Sequence, residues 1–133
     1  MRHLTHTAPT LGRWFIALCL VAGVAGCGGA VDDRPAKWSF ISATIIEPSC
    51  ATANCHSAIT QRASVDLSEP NVGYHTLIDR RFAVPGDTTE SSSLFHLMKG
   101  QGSLRMPPDA PLPGADIDLI SRWIGACQVP CND

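Results

Sequence analysis

Apolar residues recur at helical spacing in several places along the chain, and no stretch keeps the strict alternation of a half-buried strand. In "KWSFISATIIEP", Trp38, Ile41 and Ile45 fall at steps of three and four, which predicts one short amphipathic helix halted at Pro48. "SAITQRASVDLSEPNVG" has no sustained period and carries turn residues, so it reads mostly as loop. "YHTLIDRRF" predicts a helical turn or short helix, and "AVPGD" a turn. "TTESSSLFHLMKG" has hydroxyl residues ahead, Leu94, Leu97 and Met98 on one face, and Gly100 after it, the pattern of a capped helix. "QGSLRMPPDAPLPG" is too rich in proline for regular helix. "ADIDLISRWIGAC" gives the clearest helix: Ile117, Ile120, Trp123 or Ile124, and Cys127 share a stripe, with Asp116 and Asp118 at its positive N-terminus. The predicted class is all-α, three to five short helices joined by long irregular loops.

The first residues change the domain picture. Arg2 and Arg13, the apolar run "WFIALCLVAGVAG" and the closing "VAGC" have the form of an export signal, too short for a stable membrane span. A cysteine directly after small residues resembles the lipobox of bacterial lipoproteins. That resemblance implies a signal over 1–26, cleavage before Cys27, and acylation of Cys27, whose acyl chains would hold the protein on a membrane. The other reading is a soluble periplasmic protein cleaved nearby, with Cys27 a bystander. "GGAVDDRPA" is small, polar and proline-terminated, which makes 27–36 a flexible tether and 37–133 the folded domain. Gly28 after Cys27 favours the outer membrane by analogy with one sorting rule.

Removal of the signal leaves 107 residues with eight Lys and Arg against twelve Asp and Glu, a formal charge of −4. No basic stripe is present, which argues against nucleic acid as a partner. Net charge of this sign favours docking to partners with a positive rim, weakened by salt. A few short helices give a thin core, and a buried planar cofactor would supply what such a chain lacks.

Candidate chemistry centres on "EPSCATANCHSAI". In an exported domain Cys50, Cys55, Cys127 and Cys131 are expected in disulfides or bonded to a cofactor. Covalent haem attachment needs two thiols for the two vinyl groups and an imidazole directly after the second cysteine. Cys55–His56 keeps that adjacency. Cys50, five residues before Cys55, would stand roughly 140° away on a regular helix. The "ATAN" insert must therefore bulge for both sulfurs to face one edge, and its small residues and Asn54 allow that. A Cys50–Cys55 disulfide beside an idle His56 is the ordinary alternative. Zinc held by Cys50, Cys55 and His56 is a third, disfavoured because adjacent ligands strain a tetrahedral ion.

Met98 and Met106 are the methionines left after the signal. Met98 shares a core stripe and suits filler; Met106, in "SLRMPPDAP", is held by two prolines on an extended loop and suits a distal iron ligand. His96 is the rival sixth ligand and His75 a weaker one. Cys127 and Cys131, in "CQVPCND", suit a local disulfide better than a redox pair, since C-x3-C lacks dithiol-enzyme spacing.

"SATIIEPSCATANCHSA", "SSSLFHLMKG", "RMPP" and "ADIDLISRWIGA" come in the order seen in small bacterial cytochrome c-like domains, and resemble most the lipoprotein and planctomycete types of c-type cytochrome. The resemblance spans roughly 38–126. It implies an all-α cytochrome c-like fold around one covalently bound haem c, with first and last helices crossing. By it Cys50 and Cys55 carry the thioethers, His56 is the proximal ligand and Met106 the distal one. The spacing departs from C-x-x-C-H, and no proline closely follows His56 to orient its ring through a carbonyl.

The function so implied is a membrane-tethered monohaem electron carrier facing the periplasm, serving redox partner proteins of the cell envelope and taking no small-molecule substrate. No carboxylate pair, nucleophile–base set or phosphate loop suggests catalysis. Two other classes stay open: a haem enzyme or gas sensor with an open iron site, in which His75, His96 or Arg105 would serve a distal pocket, and a haem-free, disulfide-stabilised envelope lipoprotein.

Overall fold

The structure is a computed structural model that describes residues 31–86, 91–100 and 104–126; Cys27, Cys127 and Cys131 lie outside them. Among the described residues the chain is helical and contains no strand.

The first helix, α1, runs over residues 38–49: an α-helical turn at Trp38–Ile41, a π-helical stretch at Ser42–Ile46, and a last turn at Glu47–Ser49. It therefore continues through Pro48, where the sequence pattern predicts its end. The reason is the widened turn just ahead. The Glu47 N–H reaches back five residues to the Ser42 carbonyl, so the ladder is already shifted before the residue that has no N–H to give. Trp38, Ile41, Ile45 and Ile46 are buried along one side.

The second helix, α2, spans Pro70–Asp79. It starts inside the stretch that reads as loop and stops before the "RRF" that reads as helical. Pro70 occupies the first turn, where its fixed φ suits the helix and its missing N–H costs nothing. Arg81, at φ 58°, ends it. Gly73 sits mid-helix against the Trp38 indole, where a Cβ would stand 3.4 Å from Trp38 Cζ2, an ordinary van der Waals contact.

The third helix, α3, spans Ser93–Lys99, with Ser92 in the capping position. The Ser92 hydroxyl accepts instead from the Val84 N–H at 2.9 Å, tying the incoming turn to the helix. Phe95 and Met98 are buried, and Gly100, at φ +66°, terminates it. The fourth, α4, spans Gly114–Ala126 and buries Leu119, Ile120, Trp123 and Ile124.

Trp38 joins three of these helices. Its ring lies 5.0 Å from that of Trp123 on α4 and 6.1 Å, edge-on, from that of Tyr74 on α2. Its indole N–H donates to the Pro70 carbonyl at 2.8 Å, so the buried polar tip is satisfied. Asp32 and Arg34, within the stretch that reads as a tether, lie against α4: Arg34 pairs with Asp116 at 2.6 Å, and Arg122 with Asp32 at 3.2 Å. Among the described residues no helix is long and apolar enough to cross a membrane.

Candidate functional site

The end of α1 delivers Cys50. The Ile46 carbonyl accepts from both the Cys50 N–H at 2.8 Å and the Ala51 N–H at 3.2 Å, and the helix gives way to turns. The Cys55 N–H donates to Thr52 and the His56 N–H to the Cys50 carbonyl at 3.1 Å, which closes "ATAN" into a loop. Hydroxyls of Ser57 and Thr60 both reach the Ala53 carbonyl and fix the far side of that loop. The insert thus bulges, as two sulfurs on one rim require.

The chain then doubles back on His56. The Arg62 N–H donates to the Cys55 carbonyl at 3.0 Å and the Leu67 N–H to the His56 carbonyl at 2.8 Å. Gln61, Ala63 and Ser64 have φ of 42°, 56° and 56°, a left-handed run that costs non-glycine residues about 1–2 kcal/mol each. That turn aims the Arg62 carbonyl oxygen at His56 Nδ1, 3.1 Å away. With its proton on Nδ1 the ring donates to this carbonyl and keeps the Nε2 lone pair for a ligand's role. The orienting acceptor for which the sequence offers no proline is therefore a main-chain carbonyl six residues on. Nothing in the Arg62 side chain signals it; the signal is backbone geometry, and no residue pattern carries it.

Met106 arrives from the other side. Gly100 turns the chain out of α3, and the Met106 N–H returns to the Leu97 carbonyl at 2.9 Å. The Arg105 guanidinium bonds the Pro108 carbonyl at 3.0 Å and braces the proline-rich loop. Cys50, Cys55, His56 and Met106 consequently line one small cavity with Ser49, Arg62, Pro107 and Pro108. Cys50, His56 and Met106 also line a larger cleft of about 220 Å³. Its walls are apolar: Ile46, Val65, Leu67, Leu77, Phe82, Leu94, Leu97, Met98 and Leu104. Ligand sites are commonly of this apolar character, with a few polar groups among the lining.

His96 and His75 do not line either cavity. His75 instead meets Asp79 at 3.3 Å on an exposed face of α2. Met98 is 4% exposed and belongs to both the core and the cleft wall. Cys50 and Cys55 are free thiols. Burial, with Cys55 beside it, pushes the Cys50 thiol up to about 11, so at neutral pH it is protonated. Among the described residues no three His, Cys, Asp or Glu side chains stand together as a metal-holding group, which leaves the zinc set of Cys50, Cys55 and His56 without the geometry it needs.

Comparison with known proteins returns no matching family model, curated protein or solved structure.

Proposed function

We propose that this chain is a membrane-tethered monohaem c-type cytochrome that transfers electrons in the bacterial cell envelope. Cys50 and Cys55 are the thioether positions, and His56 and Met106 the iron ligands. The observation that carries the reading is the arrival of all four, on two separate loops, at one apolar cavity. The donor set fits the group: two free thiols, a ring nitrogen left open by the Arg62 carbonyl, and a thioether, with an apolar cleft beside them.

Haem bound there would supply reversible one-electron iron chemistry. The chain's own part is to orient and to exclude. The Arg62 carbonyl fixes the His56 ring, and the Leu97 carbonyl fixes the Met106 backbone. Leu77, Phe82, Leu94 and Met98 keep water from the cleft wall. Two protein ligands leave no position for substrate, so the protein is a carrier rather than a catalyst. Lipid on Cys27 would hold it at the membrane, facing the periplasm and, by the Gly28 analogy, on the outer membrane.

A haem stain on a denaturing gel tests this directly, using protein from cells competent in c-type maturation. The expected result is a coloured band and a reduced-minus-oxidised spectrum of a low-spin c-type haem. A colourless band refutes the haem reading and leaves a haem-free lipoprotein.

A further inference from the structure

The turn that aims the Arg62 carbonyl at His56 is built from backbone that disfavours it. Gln61, Ala63 and Ser64 all carry a Cβ and all stand in the left-handed region, where such residues persist only if surrounding contacts over-determine them. Two of those contacts are local. The Ser64 N–H donates to the Gln61 carbonyl at 2.7 Å, and the Val65 N–H to the Arg62 carbonyl at 3.1 Å. The Arg62 oxygen thus serves Val65 and the His56 ring together, and any rotation of the Arg62–Ala63 peptide moves it off the ring.

The third contact comes from another element. Arg80, at the C-terminal end of α2, donates through Nη1 to the Ser64 carbonyl at 2.7 Å, sixteen residues back along the chain. Its Nη2 reaches the Ala63 carbonyl at 3.4 Å. These are the carbonyls of the two peptides that follow Arg62, so the guanidinium grips the part of the turn that sets the Arg62 oxygen.

The grip has a backing. The guanidinium carbon lies over the Phe82 ring, 5.0 Å from its centre. Phe82 is anchored in turn, its carbonyl accepting from the Leu94 N–H at 3.0 Å, and both Phe82 and Ala63 line the apolar cleft. Arginine suits this place because a planar fork can stack on a ring while its edge bonds two carbonyls. The neighbouring carboxylates are met by other groups: Asp79 by His75, and Asp66 by Ser68 and Gln61.

We propose that Arg80 is a positioning residue for His56. By bonding the Ser64 and Ala63 carbonyls against Phe82 it holds the left-handed turn closed, and so keeps the Arg62 carbonyl on Nδ1. It acts through the backbone of the loop, and it ties the end of α2 and the cleft wall to the orientation of the ring. That His56 ligates haem iron rests on the proposed function; that Arg80 holds its ring does not.

The test uses the full-length protein in detergent, with arginine side chains and histidine rings labelled with nitrogen-15. In wild type the Arg80 guanidinium should show separate Nη signals, the mark of hindered rotation about Nε–Cζ. A freely rotating group overturns the proposal without any variant. In haem-free protein, at a pH where the ring is neutral, Arg80→Gln should lower the ratio of Nδ1–H to Nε2–H tautomer at His56 about threefold or more, the order of one hydrogen bond's net worth. Arg80→Lys, which can serve one carbonyl, should fall between Arg80→Gln and wild type. Arg81→Gln, the same loss of charge one residue on, should leave the ratio unaltered, and the Trp38 and Trp123 indole signals report that each variant is folded. In haem-loaded protein, where ligation fixes the tautomer, the readout is solvent exchange of the His56 Nδ1–H, which Arg80→Gln should speed about threefold or more. An unchanged ratio or exchange rate in Arg80→Gln overturns the proposal, and so does an equal change in Arg81→Gln. Failure to load haem refutes the electron-transfer reading alone, because the tautomer in haem-free protein still decides the part of Arg80.

Discussion

His56 Nδ1 lies 3.1 Å from the carbonyl oxygen of Arg62, and that oxygen is aimed by left-handed residues on either side of it. The pairing predicts that neutral His56 carries its proton on Nδ1, which long-range proton–nitrogen correlation spectra of haem-free protein will show. Ala63 is the place to disturb it. A β-branched residue is a severe outlier at positive φ, so Ala63→Val should cost about 1–3 kcal/mol in urea unfolding and reduce the Nδ1–H population. Ala63→Gly should keep both. A wild-type ring with a bare Nδ1 would show that Arg62 does not orient it.

Met106 is positioned through Gly100 as much as through its prolines. At φ +66° an alanine is strained, and its Cβ would meet Arg105 Cδ at 3.2 Å, a contact that a flexible side chain can yield to. Gly100→Ala should therefore destabilise the fold by about 1–2 kcal/mol, chiefly through backbone strain. Gly100→Asn should cost less, since asparagine tolerates the left-handed region. Chemical denaturation of the three proteins side by side measures the order; equal midpoints would mean that α3 does not need this turn.

Met106 and Met98 both face the cleft, yet only Met106 also borders the cavity that holds both cysteines. In haem-loaded protein Met106→Ala should abolish the sulfur–iron charge-transfer band and lower the reduction potential, while Met98→Leu should keep the band and lose at most about 1.5 kcal/mol of stability, as near-isosteric core changes do. An unchanged band in Met106→Ala would transfer the ligand role elsewhere and revive an open-site enzyme or sensor.

Much of the fold was legible where burial and period coincide. Ile120 and Trp123 mark the last helix because one face of it is core and the other solvent. Pro48 and Pro70 mislead for opposite reasons. Pro48 reads as a stop, but a π-helical shift ahead of it removes the conflict; Pro70 reads as loop, but it opens α2, and Gly73, which looks like a turn residue, lies mid-helix against Trp38. Of the site, side chains were legible and backbone was not. Cys50, Cys55, His56 and Met106 stand out by type and spacing, whereas the Arg62 and Leu97 carbonyls that position two of them belong to every residue alike.

Asp32 carries the pH dependence that can be tested at the other end of the molecule. Hydrogen bonds from Arg34, with Arg34 and Arg122 charges beside it, hold its carboxyl down at about 2. A carboxyl lowered on folding contributes stability that is fully present above its unfolded value, 3.8, and is lost as pH falls through the folded one. Unfolding midpoints should thus drop between about pH 4 and pH 2 as Asp32 protonates and releases Arg34 and Arg122. Asp32→Asn should be less stable than wild type at pH 6, with the two curves converging toward pH 2. Because the cluster is solvent-accessible, about 1 M salt should shrink the difference, its Debye length being only about 3 Å. Parallel curves down to pH 2 would mean that Arg34 is held to α4 by Asp116 alone.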